Sequence, residues 1–367
     1  MMQLRDFSLI SHNADVNIPL MNVLQDIAQQ IEIHSDFSIC HPNYQPLALA
    51  PHMVECFYQM PQETQMKYLS LQLRTYIYGI YYNGSLKSKL ALDPKQENQH
   101  LDVENNAFLE IDTDLYQSID INNYGKGYFD ADWQIIKEEI DGSLVVIKKG
   151  LKLHIERKKH LANLQQNAAV GDSVSIRMPK NMLLKGFYMA VGDAGTNHAR
   201  NLDTRPSIVR IYMNLTCEGA IAIMKAISQQ LNEILIPFSF KVLYNPGDYG
   251  RYDSGVLYFD KRDYKTISPV IRSIYNSHQN YFQPQVPLFT KYLAPGLGLA
   301  EEVDQKLTTQ ESFGMNRCQM VANGLLTSWE KGSKSPEDRM KSIIEQFSVL
   351  GIDLQRAYLN ANSEDIY

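Results

Sequence analysis

The segment IVRIYMNLTCEGAIAIMKAISQQLNEIL, residues 208–235, changes its hydrophobic period from two to about 3.6 at its midpoint. Over 208–215 the apolar residues Val209, Ile211, Met213 and Leu215 alternate with Arg210, Tyr212 and Asn214, so a strand sends the two sets to opposite faces. Thr216 then reads as an N-cap, and Ala220, Met224, Ile227, Leu231 and Ile234 form a helical stripe that stops before Pro237. Two further strands follow, SFKVLY (239–244) and SGVLYF (254–259), separated by the turn NPGDYGRYD (245–253). If the helix covers the apolar faces, Arg210, Tyr212, Lys241 and Tyr258 project together from the other side of the sheet.

Away from this unit, residues 16–33 place Leu20, Leu24, Ile27 and Ile31 at helical spacing. Pro61 opens a second helix with Met66, Leu69, Leu73, Ile77 and Ile80 on one face, and Asn83-Gly84 ends it. Residues 85–115 are polar, and LDPKQENQHLDVENN reads as an exposed loop. GYFDADWQII, the alternating SLVVIKKGLKLHIE and SVSIRMP predict strands. A later helix is predicted to begin at Ser268-Pro269, and a last one at Ser335-Pro336-Glu337-Asp338, close to a capping box, running to Gly351. The expected class is α+β: a mixed or antiparallel sheet packed on helices, with a largely helical N-terminal portion. The expected division is residues 1–170 and residues 171–367.

With 367 residues, 44% hydrophobic and 21% charged, the chain is long enough for a substantial core, and no run approaches the ~18 apolar residues of a membrane span. The N-terminal segment lacks the basic start and continuous apolar run of a secretory signal, so the expected compartment is cytoplasmic. Four scattered cysteines without a CxxC pair read as reduced thiols. Cys40-His41 with His52 and Cys56 has metal-type ligands at spacing unlike a zinc site, so no metal is expected. No nucleotide loop or GxSxG elbow occurs, and Cys217 and Cys318 lack an identifiable histidine partner. Net charge is −6, with −7 carried by residues 1–170 and +1 by the rest. The chain has no basic excess of the kind that nucleic acid demands, so neither nucleic acid nor membrane is an expected partner. A local anion site in the second half stays open.

The stretches GFYMAVGDAG, IVRIYMNLTCEGA, IPFSFKVLYNP, YDSGVLYF, PLFTKYLAPGLGLAEE, SFGMNRC and AYLN, in that order over roughly residues 170–360, resemble the Hop-A effector family domain. The first half resembles the N-terminal extension of cyanobacterial stand-alone members. The resemblance implies two functions. Relatives in lanthipeptide clusters act as lyases that remove phosphate from phosphoserine or phosphothreonine of a precursor peptide and leave a dehydroamino acid. Effector relatives act instead as protein-interaction modules. A more distant resemblance, to phosphothreonine lyases, matches Arg210-x-Tyr212, a helix, Lys241, Arg251 and Tyr258 in order. The departure is Tyr212, which stands where those enzymes have a histidine.

Elimination needs a base for a weakly acidic α-proton and cations for the departing phosphate, and no cofactor. Lys241 is the candidate base, assisted by Tyr212 and Tyr258. Arg210, Arg251, Arg317 and Lys291 are the candidate phosphate ligands, since guanidinium groups match phosphate oxygens in pairs. The expected partner is a phosphorylated peptide or protein, with a separate kinase supplying the phosphate. Plain structural roles compete at each position. Arg210 and Lys241 fit a solvated sheet face, Tyr212 and Tyr258 ordinary strand aromatics, Lys291 a structural loop, and Arg317 an ion pair with Glu301 or Glu302.

Overall fold

The structure, a computed structural model, describes residues 19–92, 111–196, 207–307, 311–333 and 335–367. The loop expected within 85–115 lies mostly outside these residues. The first region supplies helices α1 (Leu20–Gln30), α2 (Pro51–Tyr58), α3 (Gln62–Ile77) and α4 (Thr113–Asn122), with a small antiparallel sheet β1 (Glu32–Ile33), β2 (Ile39–His41) and β3 (Tyr44–Leu47). A four-stranded sheet follows, from β4 (Tyr128–Glu138), β5 (Leu144–Lys148), β6 (Leu151–Ile155) and β7 (Ser173–Met178), with the short α5 (Arg157–His160) between β6 and β7. The second region contains β8 (Asn181–Leu184), β9 (Phe187–Val191), β10 (Ile208–Met213), α6 (Cys217–Glu233), β11 (Ser239–Leu243) and β12 (Gly255–Asp260). It closes with α7 (Tyr264–Ser277), β13 (Lys291–Ala294), β14 (Leu297–Glu301), α8 (Phe313–Glu330) and α9 (Pro336–Val349). The class is α+β.

Strands β8 to β14 form one seven-stranded sheet in the order β13-β14-β10-β12-β11-β9-β8, and each pairing is antiparallel. Thr216 caps α6 by accepting from the Gly219 N–H at 3.1 Å, and Ser335 caps α9 by accepting from Asp338 N–H at 3.1 Å. Each cap satisfies a donor that would otherwise be orphaned, worth about 1 kcal/mol. Helix α7 begins at Tyr264, before the expected Ser268-Pro269, and Pro269 lies inside it. The buried stripe Tyr264, Ile267, Ile271 and Ile274 outweighs the backbone hydrogen bond that the proline forfeits. The run SLVVIKKGLKLHIE is two strands rather than one, folded at Lys149 (φ 48°) and Gly150 (φ 83°), the left-handed pair that a tight hairpin turn requires.

The four-stranded sheet crosses residue 170, since β7 pairs with β4. Its own small core holds Trp133, Ile135, Val146, Val174 and Ile176. The main core joins Leu24, Leu69, Leu73, Ile77 and Ile119 of the first region with Val209, Ile211, Ile227, Phe240 and Phe259 of the second. Apolar burial on this scale, near 25 cal/mol per Å² of covered surface, ties the two regions together. Among the described residues, no helix is long and apolar enough to cross a membrane.

The seven-stranded sheet is covered on both faces over part of its width. The α6 stripe of Ala220, Met224, Ile227 and Leu231 is fully buried in the main core with Ile211 and Phe240, on the apolar face of the sheet. On the polar face, a single turn of π-helix after α3 (Tyr78–Tyr82) and the start of α8 lie over part of β10. Gly314 makes that approach possible: a Cβ there would meet the Tyr82 ring at 2.3 Å. Gly84, at φ 74°, terminates the turn as Asn83-Gly84 suggests.

Candidate functional site

Register builds the site. Arg210 on β10 stands directly opposite Tyr258 on β12, and Lys241 on β11 is opposite Val256, two residues from Tyr258 along the same strand. Side chains two apart in a strand share a face, so Arg210, Tyr258 and Lys241 form a row. The Arg210 guanidinium lies 5.1 Å from the Tyr258 ring centre, and Lys241 Nζ lies 5.8 Å from the same ring and 4.1 Å from that of Phe187. Arg251 joins from the turn, 5.5 Å from the Phe187 ring. Two aromatic rings thus hold three cations around one patch, and the negative ring faces offset part of the mutual repulsion.

Carboxylates meet two of those cations. Glu302, just past β14, accepts from Nε and Nη2 of Arg210. Burial works against the Arg210 charge, but neighbouring tyrosines and Glu302 leave it held well above the ordinary arginine value. Asp253 accepts from Nε and Nη2 of Arg251 at 2.6 and 2.9 Å. Burial pushes the Asp253 carboxyl up, yet Arg251, the field of Lys241 and the Asn83 amide hold it below the usual carboxylate range. In both pairs the carboxylate takes the Nε edge of the guanidinium, which fixes its plane.

The first region completes the second pair. Asn83 Nδ2 donates to Asp253 Oδ1 at 3.1 Å, and the Tyr78 hydroxyl donates to Oδ2 at 3.3 Å. Sequence reading missed Asp253, Asn83, Tyr78 and Phe187, and offered Glu302 to Arg317 where the structure gives it to Arg210. The two-residue spacing of Arg251 and Asp253 was the available signal.

The remaining expected residues lie elsewhere. Tyr212 shares the face of Arg210 but is sealed, 2% exposed, between Tyr82 and Phe313 with ring centres 6.5 and 6.4 Å away. Burial pushes its hydroxyl up to about 12. Arg317 is 1% exposed inside α8, donating to the Ala357 and Leu359 carbonyls at 2.9 and 2.8 Å and to Asn316. Burial pulls its guanidinium down to about 10. The alternative partners weighed for it are taken: Glu301 pairs with Lys261 and Glu302 with Arg210. Lys291 binds Asp365 at 3.2 Å and the Tyr367 carbonyl at 2.7 Å. The structure therefore gathers Arg210, Lys241, Arg251 and Tyr258, and leaves Tyr212, Arg317 and Lys291 outside the patch.

Among these cations Lys241 stands apart. Within the described residues, its amine has no hydrogen-bond acceptor or ion-pair partner, whereas Arg210, Arg251, Arg317 and Lys291 each have one.

Residues 178–359 match the HopA1 effector protein family. Two solved structures are similar to the chain. One is the effector protein from Pseudomonas syringae pv. tomato strain DC3000, at 18% identity and TM-score 0.36, covering 48% of this chain and 63% of that one. The other is the effector protein from Pseudomonas syringae pv. syringae strain 61, at 15% identity and TM-score 0.38, covering 68% and 81%. The chain spans less than two thirds of the first structure's length. No curated protein matches the sequence. The HopA1-matching segment contains all seven expected site residues together with Phe187, Asp253 and Glu302, while Tyr78 and Asn83 lie outside it.

Among the described residues, no group of three or more histidine, cysteine or acidic side chains could hold a metal ion. His41 meets the Tyr81 hydroxyl at 2.9 Å, not a cysteine.

Proposed function

We propose that this chain is a cofactor-independent phosphoserine/phosphothreonine lyase acting on a ribosomal precursor peptide. The observation that carries this reading is the Lys241 amine, which has no acceptor among the described residues and is placed between Phe187 and Tyr258 with Arg210 and Arg251 beside it. Lys241 in its neutral form takes the α-proton. The electron pair becomes the Cα–Cβ double bond, the Cβ–O bond breaks, and phosphate leaves with its electrons. Arg210 and Arg251, each steadied by its carboxylate, present their other edges to the phosphate oxygens, and Tyr258 adds a hydroxyl. With Tyr212 sealed away, the neutralised phosphate departs without a dedicated acid. A separate kinase supplies the phosphorylated peptide, and the cytoplasm is the matching compartment.

A second reading is a non-catalytic protein-interaction module. One observation favours it: Glu302 and Asp253 already neutralise the two arginines. The two separate on a synthetic phosphothreonine peptide followed by mass spectrometry. A lyase removes phosphoric acid, a product lighter by one water than the hydrolysis product, and Lys241→Ala abolishes the change. Capture of the peptide with no mass change assigns the binder.

A further inference from the structure

The lyase reading leaves open what the first region contributes beyond Tyr78 and Asn83. A pocket of about 430 Å³ opens between the loop after the π-turn and the turn before β12, and Arg251 forms part of its wall. Lys87, Lys89, Ser85 and Ser88 line it together with Arg251, and Asp248 is the single carboxylate of the lining. Among the described residues, neither Lys87 Nζ nor Lys89 Nζ has a hydrogen-bond acceptor or an ion-pair partner; Lys87 only overlies the Tyr252 ring at 5.6 Å. With Arg251 already paired to Asp253, the two lysines against Asp248 leave a local excess of positive charge, and both lysines come from the half of the chain whose total is −7.

The pocket lies beside the proposed reaction centre, with Arg251 common to both, and shares Lys87 and Tyr252 with a larger groove. Arg251 and Lys241 contact the same Phe187 ring, so pocket and patch share a wall. Lys87 and Tyr252 also line a groove of about 750 Å³ that runs past Asp26 toward Lys291 and Tyr358. An extended chain leaving the patch past Arg251 has this route available.

We infer that Lys87 and Lys89 form a recognition subsite for an anionic side chain of the substrate peptide, a carboxylate or a second phosphate near the reacting residue. The inference rests on the lyase reading only for the identity of the peptide. Anion capture by the subsite is independent of the Lys241 chemistry. Lysine fits this duty because its ammonium is a mobile point charge that accepts either group without a fixed geometry.

The test uses the full chain and three labelled phosphothreonine peptides: one flanked by glutamates, one by glutamines, and one by glutamines with a second phosphothreonine. Fluorescence anisotropy should show the glutamate and doubly phosphorylated peptides binding about tenfold more tightly than the glutamine peptide. In Lys87→Gln/Lys89→Gln, whose positions are exposed and whose melting temperature should not move, that preference should fall to about twofold or less. Preference for only one of the two anionic peptides identifies which group the subsite takes. Equal affinities for all three peptides, or a preference that survives the double variant, overturn the subsite. If no peptide is eliminated but the lysine-dependent preference holds, the lyase reading falls and the subsite stands. If elimination proceeds with the same KM on all three peptides, the reverse is true.

Discussion

Asn83 Nδ2 donates 3.1 Å to Asp253 Oδ1, joining two buried residues that lie 170 positions apart in sequence. The amide comes from the end of the π-turn in the first region, and the carboxylate steadies Arg251 in the second. Asn83→Ala strands part of the Asp253 carboxylate without a donor, so we expect a loss of about 1–3 kcal/mol in urea denaturation. Asn83→Asp should be worse, because it sets a like charge against Asp253. An unchanged denaturation midpoint in both variants would show that the contact contributes nothing.

Asp253 gives a pH signature. Its carboxyl is held below its ordinary value of ~3.9 in the folded state, so its contribution is complete above that pH and drains as pH falls through the lower folded value. Wild type and Asp253→Asn, compared by denaturation from pH 7 to 3, should differ most at neutral pH, with the gap narrowing below about pH 4. A gap independent of pH contradicts the assignment.

Lys241→Arg keeps the positive charge but replaces the amine with a guanidinium, which does not give up its proton in a protein. Elimination should fall by at least about a thousandfold, within the range that general-base loss and misplacement together produce. Peptide binding should change by less than about threefold. Retained turnover in this variant would remove Lys241 as the base.

Glu302→Gln preserves an acceptor for Arg210 while discarding the charge that competes with phosphate. Binding of the phosphothreonine peptide should tighten, at an expected stability cost of about 1–3 kcal/mol for a guanidinium that is only 8% exposed. Weaker binding would mean that Glu302 orients Arg210 for the ligand instead of competing for it.

Arg317→Lys tests a structural role. The lysine cannot reproduce the forked bonds to Ala357 and Leu359, and we expect a loss of about 2–4 kcal/mol with KM on folded enzyme unaltered. A rise in KM at constant stability would return Arg317 to the phosphate ligands.

Much of the frame was legible along the chain. Alternation at 208–215, the Thr216 cap and the α6 stripe depend on neighbours a few residues away, and local spacing carries such information. The shared face of Arg210, Lys241 and Tyr258 follows from strand parity once the apolar face is known. Helix α7 was misplaced because a proline normally marks a first turn, while here the buried stripe extends one turn further upstream. The hairpin at Lys149-Gly150 was hidden because alternation continues on both sides of the turn.

The chain by itself determined the α+β class and the residues that line one face of its central sheet, because period and capping are local properties. The antiparallel pairing of every strand in that sheet came with the structure. Only the tertiary structure decided which cations on that face remain available. Glu302, the Ala357 and Leu359 carbonyls and Asp365 each reach a candidate cation from a separate element, and Asn83 and Tyr78 reach the Asp253 that holds Arg251 within its own turn. Tyr82 and Phe313 seal Tyr212 from helices distant in sequence. Partnering across such separations depends on how layers pack, and packing is a property of the whole fold.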